Sequence, residues 1–93
     1  MTQYDIRPTT RFRKDLKLMI KRGLDTERLV EVIKLIASGE QLPERYSDHA
    51  LQGEYLGCRE CHIQPDWLLV YELDDKELYL YLIRTGTHSD LFS

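Results

Sequence analysis

Three strand-like runs with very short connections occupy most of the second half of the chain, and they limit its fold more than any other feature. The runs cover residues 56–64, 67–73 and 77–84, and they are separated only by Pro65-Asp66 and by Asp74-Asp75-Lys76. Connections of two or three residues favour antiparallel hairpins. The last two runs are apolar on both faces, as expected for strands with a neighbour on each side. The sequence therefore predicts an antiparallel meander.

Two helix-like segments precede these runs. Thr9 or Thr10 can cap a helix that extends to about Arg22, and Asp25 or Thr26 can cap a second helix that extends to about Ser38. Glycines at positions 23 and 39 provide the two ends. Apolar residues recur at helical spacing in both segments, as Phe12, Leu16, Met19 and Ile20 in the first and Leu29, Val32, Ile33 and Ile36 in the second. The pair predicts a helical hairpin.

The remaining segments complete the predicted architecture. Residues 3–7 alternate well enough for a short strand before Pro8, residues 40–54 have no period and predict a loop, and residues 85–93 are expected to form only a terminal turn. The order is β-α-α-β-β-β. We expect one α+β domain over residues 1–93, with an antiparallel sheet, the helical hairpin packed on one sheet face, and the other face partly open.

Length and composition describe an ordinary globular protein. The chain has 93 residues, of which 42% are hydrophobic and 31% charged. No apolar run approaches the roughly 20 residues that span a bilayer, and the N-terminus lacks the apolar stretch of a secretory signal. We therefore expect a cytoplasmic protein without a membrane partner, in which cysteines are reduced.

Charge is divided unevenly along the chain. Residues 1–22 contain seven bases and two acids, whereas residues 23–93 contain six bases and fourteen acids. Five bases lie largely off the apolar stripe of the first predicted helix: Arg11, Arg13, Lys14, Lys17 and Lys21. Such a face can attract phosphates even in a protein of net charge −3. The alternative is a solvated helix face without a partner.

The run CRECH at residues 58–62 matches the short pattern for covalent haem attachment, but nothing else in the sequence supports haem. Side chains three positions apart on a regular strand point to opposite faces, so Cys58 and Cys61 cannot converge on a metal or bond to each other. The other two histidines are too isolated to complete a zinc site. We interpret the cysteines as packing residues and expect neither a metal nor a cofactor.

His62, in contrast, shares a polar strand face with Glu60 and Gln64. All three histidines of the chain, His49, His62 and His88, lie near predicted strand ends or in loops. If the meander brings residues 62–67 beside the tail, the imidazoles would meet Asp66, Trp67 and Phe92. Imidazoles exchange protons near neutral pH and can cleave RNA without a metal, while aromatic rings can stack on bases. The alternative is structural, with Asp66 shaping a turn and Trp67 packing at the rim.

The segments YSDHALQGEYLGCRECHIQPDWLLVYEL and LIRTGTHSDLF resemble the RelE/ParE superfamily of bacterial toxins, especially its YafQ-type branch. Its motifs H-x-L-x-G, H-x-x-P-D-W and R-T-G-T-H-x-x-L-F are specific in combination. The resemblance covers nearly the whole chain and implies a RelE-like microbial RNase fold. It also implies a ribosome-dependent endoribonuclease that cuts mRNA in the A site and is inhibited by a cognate antitoxin, which we expect to be a small ribbon-helix-helix protein.

The resemblance also implies the members of an active site. They are His49, His62, Asp66, Trp67, His88 and Phe92. We assign His88 as general acid and Asp66, assisted by His62, as general base. His49 would orient the phosphate, and the two aromatic rings would position the nucleotide. Arg59 and Arg84 would contact phosphate, although Arg84 could instead neutralise a nearby acid.

Toxins of this family are generally basic, whereas this chain is acidic overall. The basic residues of the first helix would therefore have to bind the ribosome, with the acidic segments around residues 40–48 and 74–77 facing away from rRNA. Two alternatives share the same fold. One is a ParE-like toxin that binds DNA gyrase and is not a nuclease, and the other is an inactive relative that retains only antitoxin binding.

Overall fold

The computed structural model describes residues 3–92, which form a five-stranded sheet and three helices. The elements are β1 (Asp5–Pro8), α1 (Thr10–Lys21), α2 (Thr26–Ala37), β2 (His49–Ala50), β3 (Arg59–Gln64), β4 (Trp67–Asp74), β5 (Tyr79–Gly86) and α3 (His88–Phe92). The predicted α+β class is confirmed. The short strand β2 and the terminal helix α3 are additions to the predicted order. None of the helices within residues 3–92 is long and apolar enough to cross a membrane.

The sheet has the strand order β1-β5-β4-β3-β2. Strands β2 to β5 pair antiparallel, which confirms the meander. β1, however, pairs in parallel with β5, from Asp5 opposite Tyr79 to Pro8 opposite Leu82. The prediction of a wholly antiparallel sheet is therefore wrong at this edge. A proline is tolerated there because an edge strand has one side without a partner.

The helical hairpin packs on one face of the sheet, as predicted. Thr9 Oγ1 accepts a hydrogen bond from Phe12 N at 3.1 Å, and Asp25 Oδ1 accepts one from Glu27 N at 3.0 Å, so both helices begin at predicted caps. The main core lies between helices and sheet and includes Phe12, Met19, Leu29, Val32, Ile36, Cys61, Ile63, Trp67, Leu69, Tyr71 and Leu80. The expected stripe of α1 is narrower than predicted, because Ile20 is exposed.

A second, smaller core covers part of the opposite sheet face. Its buried members come from the sheet, from the segment before β3 and from α3, and they are Cys58, Leu68, Val70 and Leu91. Cys58 and Cys61 are free thiols in different cores, which confirms that they point to opposite faces. Burial raises the pKa of the Cys61 thiol well above its usual range, so this thiol is a packing group and not a reactive thiolate.

Two irregularities in the ladder decide which face several side chains occupy. The register of β3 against β4 shifts between His62 and Gln64, and that of β4 against β5 shifts between Val70 and Tyr71. His62 lies opposite Leu68 and Arg84 opposite Val70. Because directly opposed residues share a face, both side chains lie on the face of the second core.

Helix α3 is fixed by a reciprocal cap and by an ion pair. Asp90 N donates to Thr87 Oγ1 at 3.1 Å, and Thr87 N donates to Asp90 Oδ2 at 2.9 Å. This capping box, which the sequence shows as Thr-x-x-Asp, determines where the helix begins. Arg22 at the end of α1 pairs with Asp90 at 2.7 Å. A Cβ at Gly86 would lie 2.9 Å from Cβ of Asp90, so the chain can turn this tightly only with glycine.

Arg84 forms a second link between α1 and the sheet. Its Nε and Nη2 donate to Asp15 at 2.6 and 3.1 Å, and each side chain is only 12% exposed. Asp15 Oδ2 also accepts a hydrogen bond from Thr85 N at 3.2 Å. Arg84 therefore neutralises an acid and fastens α1 to β5. This placement fits the alternative in which Arg84 neutralises a nearby acid, and a contact of Arg84 with phosphate stays a prediction.

The buried ion pair leads to a stability prediction. We expect Asp15→Asn to lower the free energy of unfolding by about 3 kcal/mol, because Arg84 would keep its charge in a largely dry site without a counter-ion. Urea unfolding measures the change. Asp5→Asn is the matched control, because Asp5 pairs with Arg7 in an exposed position. The urea concentration at the midpoint of unfolding should hardly change in this variant. Equal effects of the two substitutions would contradict the assigned role.

The anchor of α3 leads to a pH prediction. The Arg22 guanidinium, with the Thr87 amide, holds the pKa of Asp90 well below its usual range. Ionised Asp90 therefore stabilises the fold above the ordinary carboxylate range, and this contribution is lost as pH falls towards the lowered pKa. We expect the stability difference between wild type and Asp90→Asn, measured by urea unfolding from pH 7 to pH 2.5, to shrink in acid. A difference independent of pH would contradict the role of the pair.

Candidate active site

The polar face of β3 carries the first part of the site. Glu60 and His62 alternate with the core residues Cys61 and Ile63 and therefore lie on the face away from the helical hairpin. β2 places His49 directly opposite Glu60, and His49 Nε2 lies 2.9 Å from Glu60 Oε2. The second nitrogen, His49 Nδ1, lies 2.8 Å from the carbonyl oxygen of Ser47. Both contacts fix the His49 ring.

The three imidazoles form one row at the surface. The ring centroids of His49 and His62 are 6.3 Å apart, and those of His62 and His88 are 5.5 Å apart. His88 enters the row because the capping box starts α3 at this residue. His49 and His88 each keep about half of their side-chain surface exposed. The predicted convergence of the histidines is present, as an open row on the sheet face away from the hairpin.

Asp66 holds His88 from the turn between β3 and β4. One oxygen, Asp66 Oδ1, lies 2.7 Å from His88 Nδ1 and accepts a hydrogen bond from His88 N at 3.0 Å. The side-chain contact, followed by the backbone one, lowers the pKa of Asp66. A carboxylate with a lowered pKa is a weaker base, so this geometry does not favour Asp66 as the general base. It instead fixes the ring of His88 and leaves Nε2 available.

Glu60 is a member of the site that the sequence analysis did not assign. Its side chain is almost completely buried, and Oε1 has no hydrogen-bond partner within residues 3–92. One oxygen of Glu60 and one nitrogen each of His62 and His88 lie within 4.8 Å of one another, an arrangement that could hold a metal ion. The signal in the sequence was the spacing of Glu60 and His62, two positions apart on one strand.

Trp67 belongs to the main core and not to the row of imidazoles. It is 2% exposed, and Nε1 donates a hydrogen bond to Thr85 Oγ1 at 2.9 Å. Its face of β4 is the one covered by the helical hairpin. The prediction that Trp67 stacks on a base is corrected by this burial. The structural alternative, in which Trp67 packs beside the turn, fits its position.

Phe92 is partly exposed beside Tyr55, and its role in positioning the nucleotide stays a prediction. It lies on the last turn of α3, is 46% exposed, and contacts Tyr55 edge to face with ring centroids 5.8 Å apart. Tyr55 is partly buried beside the second core, and its hydroxyl accepts a hydrogen bond from Arg84 Nη1 at 3.3 Å. Sequence reasoning did not identify Tyr55, because it lies in a segment without period. The pair forms an aromatic surface near the start of β3.

Arg59 points away from the imidazoles. It precedes Glu60 on β3 and lies opposite Tyr71, whose side chain belongs to the main core. Arg59 Nη2 pairs with Asp48 at 2.6 Å, and the hydroxyl of Tyr71 donates to the same carboxylate. The prediction that Arg59 contacts the phosphate is thus corrected, because its charge is matched and its side chain lies on the other face. The group ties the segment before β2 to the sheet.

The five bases of α1 are all exposed, and none of them forms an ion pair within the described part of the chain (Arg11, Arg13, Lys14, Lys17 and Lys21). Arg22 links the end of this helix to α3 and thus to the element that carries His88. The acidic turn at residues 74–77 lies at the opposite end of β4 from Asp66. An eight-residue strand spans about 26 Å, which separates the two charges widely.

Comparison with known proteins gives one family over nearly the whole chain. Residues 4–93 match the family described as bacterial toxin of type II toxin-antitoxin system, YafQ. The mRNA interferase toxin YafQ of Escherichia coli strain K12 is 43% identical over 93 residues, which cover 99% of each chain.

Solved structures share the architecture described above. The E. coli DinJ-YafQ toxin-antitoxin complex contains a chain that superposes with a TM-score of 0.89 at 41% identity, covering 98% of this chain and 99% of the other. A metal-bound toxin from Helicobacter pylori gives a TM-score of 0.89 at 41% identity, with 99% and 100% covered. By sequence and by structure, the chain belongs to the YafQ family of bacterial toxins of type II toxin-antitoxin systems.

Proposed function

We propose that this protein is the toxin of a type II toxin-antitoxin pair and that it cleaves mRNA in the ribosomal A site by acid-base chemistry. The E. coli relative is named an mRNA interferase. The observation that carries the proposal is the row of three imidazoles, one of which is oriented by Asp66. Imidazoles can both accept and donate protons at neutral pH, as the cleavage of RNA without a metal requires.

His88 is the proposed general acid. The carboxylate of Asp66 lies against Nδ1 of the ring and accepts a hydrogen bond from a proton there, which turns Nε2 towards the substrate. Nε2 then presents a second proton to the departing oxygen. About half of the His88 side chain is exposed, so a phosphate can approach it. Asp66 acts as a positioning residue, which revises its expected role as a base.

His62 is the proposed general base. It lies between the other two imidazoles, and neither of its ring nitrogens has a hydrogen bond within residues 3–92. The 2′-hydroxyl gives its proton to His62 while its oxygen attacks the adjacent phosphorus. The bond from phosphorus to the 5′-oxygen breaks, and that oxygen takes a proton from His88. The products are a 2′,3′-cyclic phosphate and a 5′-hydroxyl end.

Positive charge for the phosphorane would come mainly from protonated imidazoles. Arg59 and Arg84 are matched by carboxylates, whereas His49 stands at the end of the row beside Glu60. His49 is therefore suited to orient the phosphate, as the family resemblance implies. Phe92, which is 46% exposed and lies edge to face with Tyr55, offers a ring on which a splayed base could stack.

Docking to the ribosome is assigned to α1. Its exposed bases have no counter-ions among residues 3–92, and the helix is joined through Arg22 and Asp90 to the helix that carries His88. The acidic turn at residues 74–77 is at the far end of the sheet, so rRNA could contact the basic helix without approaching it. A cytoplasmic location follows from this substrate.

The proposed inhibitor is a cognate antitoxin. The E. coli relative was crystallised as a complex of YafQ with DinJ, which supports an antitoxin partner for this chain. We propose a small ribbon-helix-helix protein in that role. It would neutralise the toxin by occupying or reshaping the surface that carries the imidazoles.

The Helicobacter pylori relative is described as metal-bound, which raises the question of an ion in this chain. Glu60, His62 and His88 are the groups that would hold it, and the Glu60 oxygen that has no partner among the described residues fits such a role. A bound divalent ion supplies a Lewis acid. The acid-base route proposed above needs the same imidazole nitrogens free, and it uses no metal.

The assigned roles lead to a prediction for cleavage. We expect His88→Ala to slow single-turnover cleavage of mRNA on purified ribosomes by about 10²–10⁴-fold, because the departing oxygen loses its proton donor. Asp66→Asn should reduce the rate by a smaller factor, because the amide oxygen of Asn can still accept a hydrogen bond from His88 Nδ1 but carries no charge. Mapping the 5′ ends of the message measures both rates.

The control for this experiment is Asp75→Asn, a matched substitution on the acidic turn at the other end of the sheet. Its cleavage rate should equal that of the wild-type protein. An intact message with the wild-type protein would refute the proposed function. Cleavage at the wild-type rate by a His88→Ala/Asp66→Ala variant would refute the assigned roles while leaving a nuclease.

The basic helix leads to a separate prediction. We expect Lys14→Gln/Lys17→Gln to raise the ribosome concentration for half-maximal cleavage, with the rate at saturation unchanged. The slope of log affinity against log salt concentration should fall by about 1 for each lost phosphate contact. Lys34→Gln/Lys76→Gln removes two exposed charges elsewhere and should change neither quantity. A decrease in the cleavage rate at saturating ribosome concentration, with no change in the concentration for half-maximal cleavage, would contradict docking through α1.

A further inference from the structure

The carboxylate of Glu60 is incompletely satisfied in the structure. The side chain is 5% exposed, Oε2 contacts His49 Nε2, and Oε1 has no partner within the described residues. Leaving a buried charged oxygen unpaired is unfavourable, so such atoms usually mark a missing water, ion or ligand. The nearest candidates for shared ligation are His62 and His88, whose ring nitrogens lie within 4.8 Å of a Glu60 oxygen and of each other.

The surroundings of the three groups resemble the supports that metal ligands need. Asp66 holds His88 through Nδ1, so Nε2 is the nitrogen that remains for an ion. His49 holds Glu60 through Oε2, so Oε1 is the oxygen that remains. In metal sites an outer carboxylate fixes a ligating histidine in this manner and increases its basicity, and ligating carboxylates are themselves held by hydrogen bonds. Two of the three groups therefore already have an outer partner.

The donor set selects the class of ion. Two imidazole nitrogens and one carboxylate oxygen suit Zn²⁺ and neighbouring late first-row ions, whereas Mg²⁺ and Ca²⁺ prefer oxygen ligands throughout. The three donor atoms now lie within 4.8 Å of one another, and tetrahedral bonds of about 2.0–2.2 Å would bring them to about 3.4 Å, a change that small rotations of the partly exposed histidines can supply. The fourth position would face solvent.

We propose that Glu60, His62 and His88 form a reversible binding site for a late first-row divalent ion such as Zn²⁺, and that the ion inhibits the protein. The inhibition rests on the proposed nuclease function, because the ion would occupy the nitrogens of the general base and the general acid. Binding itself depends only on the three side chains. The protein would then be active when these ions are scarce and inactive when they are available.

The test of binding is calorimetric titration of the purified chain with Zn²⁺ in the absence of RNA and ribosomes. We expect one site per chain. Glu60→Gln and His62→Asn should each weaken binding by at least about 100-fold, and His49→Asn, which removes only an outer partner, by about 10-fold. Glu54→Gln is the matched control on an exposed residue and should bind as the wild type does. Thermal melts of the metal-free variants verify that each one folds.

Three results would overturn the proposed site. The first is Zn²⁺ binding that survives Glu60→Gln and His62→Asn, and the second is Mg²⁺ binding as tight as that of Zn²⁺. The third is loss of Zn²⁺ binding in a Cys58→Ser/Cys61→Ser variant that melts at the same temperature as the wild type. The last result would move the ion to the thiols, which lie in separate cores here.

The test of inhibition is cleavage on ribosomes at constant Mg²⁺, with Zn²⁺ added and then removed by a chelator selective for transition metals. Zn²⁺ should stop cleavage near its calorimetric dissociation constant, and the chelator should restore it. Cleavage that requires Zn²⁺, or cleavage that proceeds at an unchanged rate when Zn²⁺ saturates the site, would overturn the proposed inhibition. Zn²⁺ binding with the predicted variant profile but no cleavage under any condition would support the site and count against the nuclease function.

Discussion

The alternation of side chains along β3 is the constraint on which the site depends. Successive residues of a strand face opposite sides, so one six-residue strand supplies Cys61 and Ile63 to the main core and Glu60 and His62 to the opposite face of the sheet. A slip of one residue in its pairing would turn the two polar residues towards the helical hairpin and the two apolar residues away from it. The main core therefore fixes the chemical face as firmly as it fixes the fold.

The same alternation separates residues that stand together in the sequence. The segment from Cys58 to Trp67 looks like one motif, yet its members belong to three environments. Cys58 is in the small core, Cys61 and Trp67 are in the main core, and His62 is at the surface. Proximity along a strand therefore does not imply a shared site. The chemistry of the segment is instead completed by residues from β2 and from the start of α3.

Local patterns were sufficient for much of the fold. Short connections predicted the meander, caps and apolar spacing predicted both long helices, and the polar placement of the histidines predicted their convergence. The parallel pairing of β1 was not predictable, because it depends on where the helical hairpin returns the chain. β2 has only two residues and no detectable period. α3 was missed although its capping box, Thr87 to Asp90, is visible in the sequence.

The arginines show a different limit of sequence reasoning. Arg84 pairs with Asp15, 69 positions away, and Arg59 pairs with Asp48 across a segment without period. A base near a candidate site attracts a functional assignment, but whether its charge is free depends on a partner that only the tertiary structure identifies. The bases of α1 differ because they protrude from a regular helix, and their exposure followed from the helical spacing alone.

At position 60, stability and function favour different residues. Oε1 of Glu60 has no partner in the part of the chain that the structure describes, and burying such an oxygen costs about 1–3 kcal/mol or more, so an apolar residue would suit a strand flanked by two cores better. Local departures of this kind are concentrated at functional sites. In this position Glu60 fixes His49 and places a carboxylate beside His62, the proposed general base. A buried carboxylate also attracts a cation, so the group that orders the row of imidazoles exposes the site to transition metals.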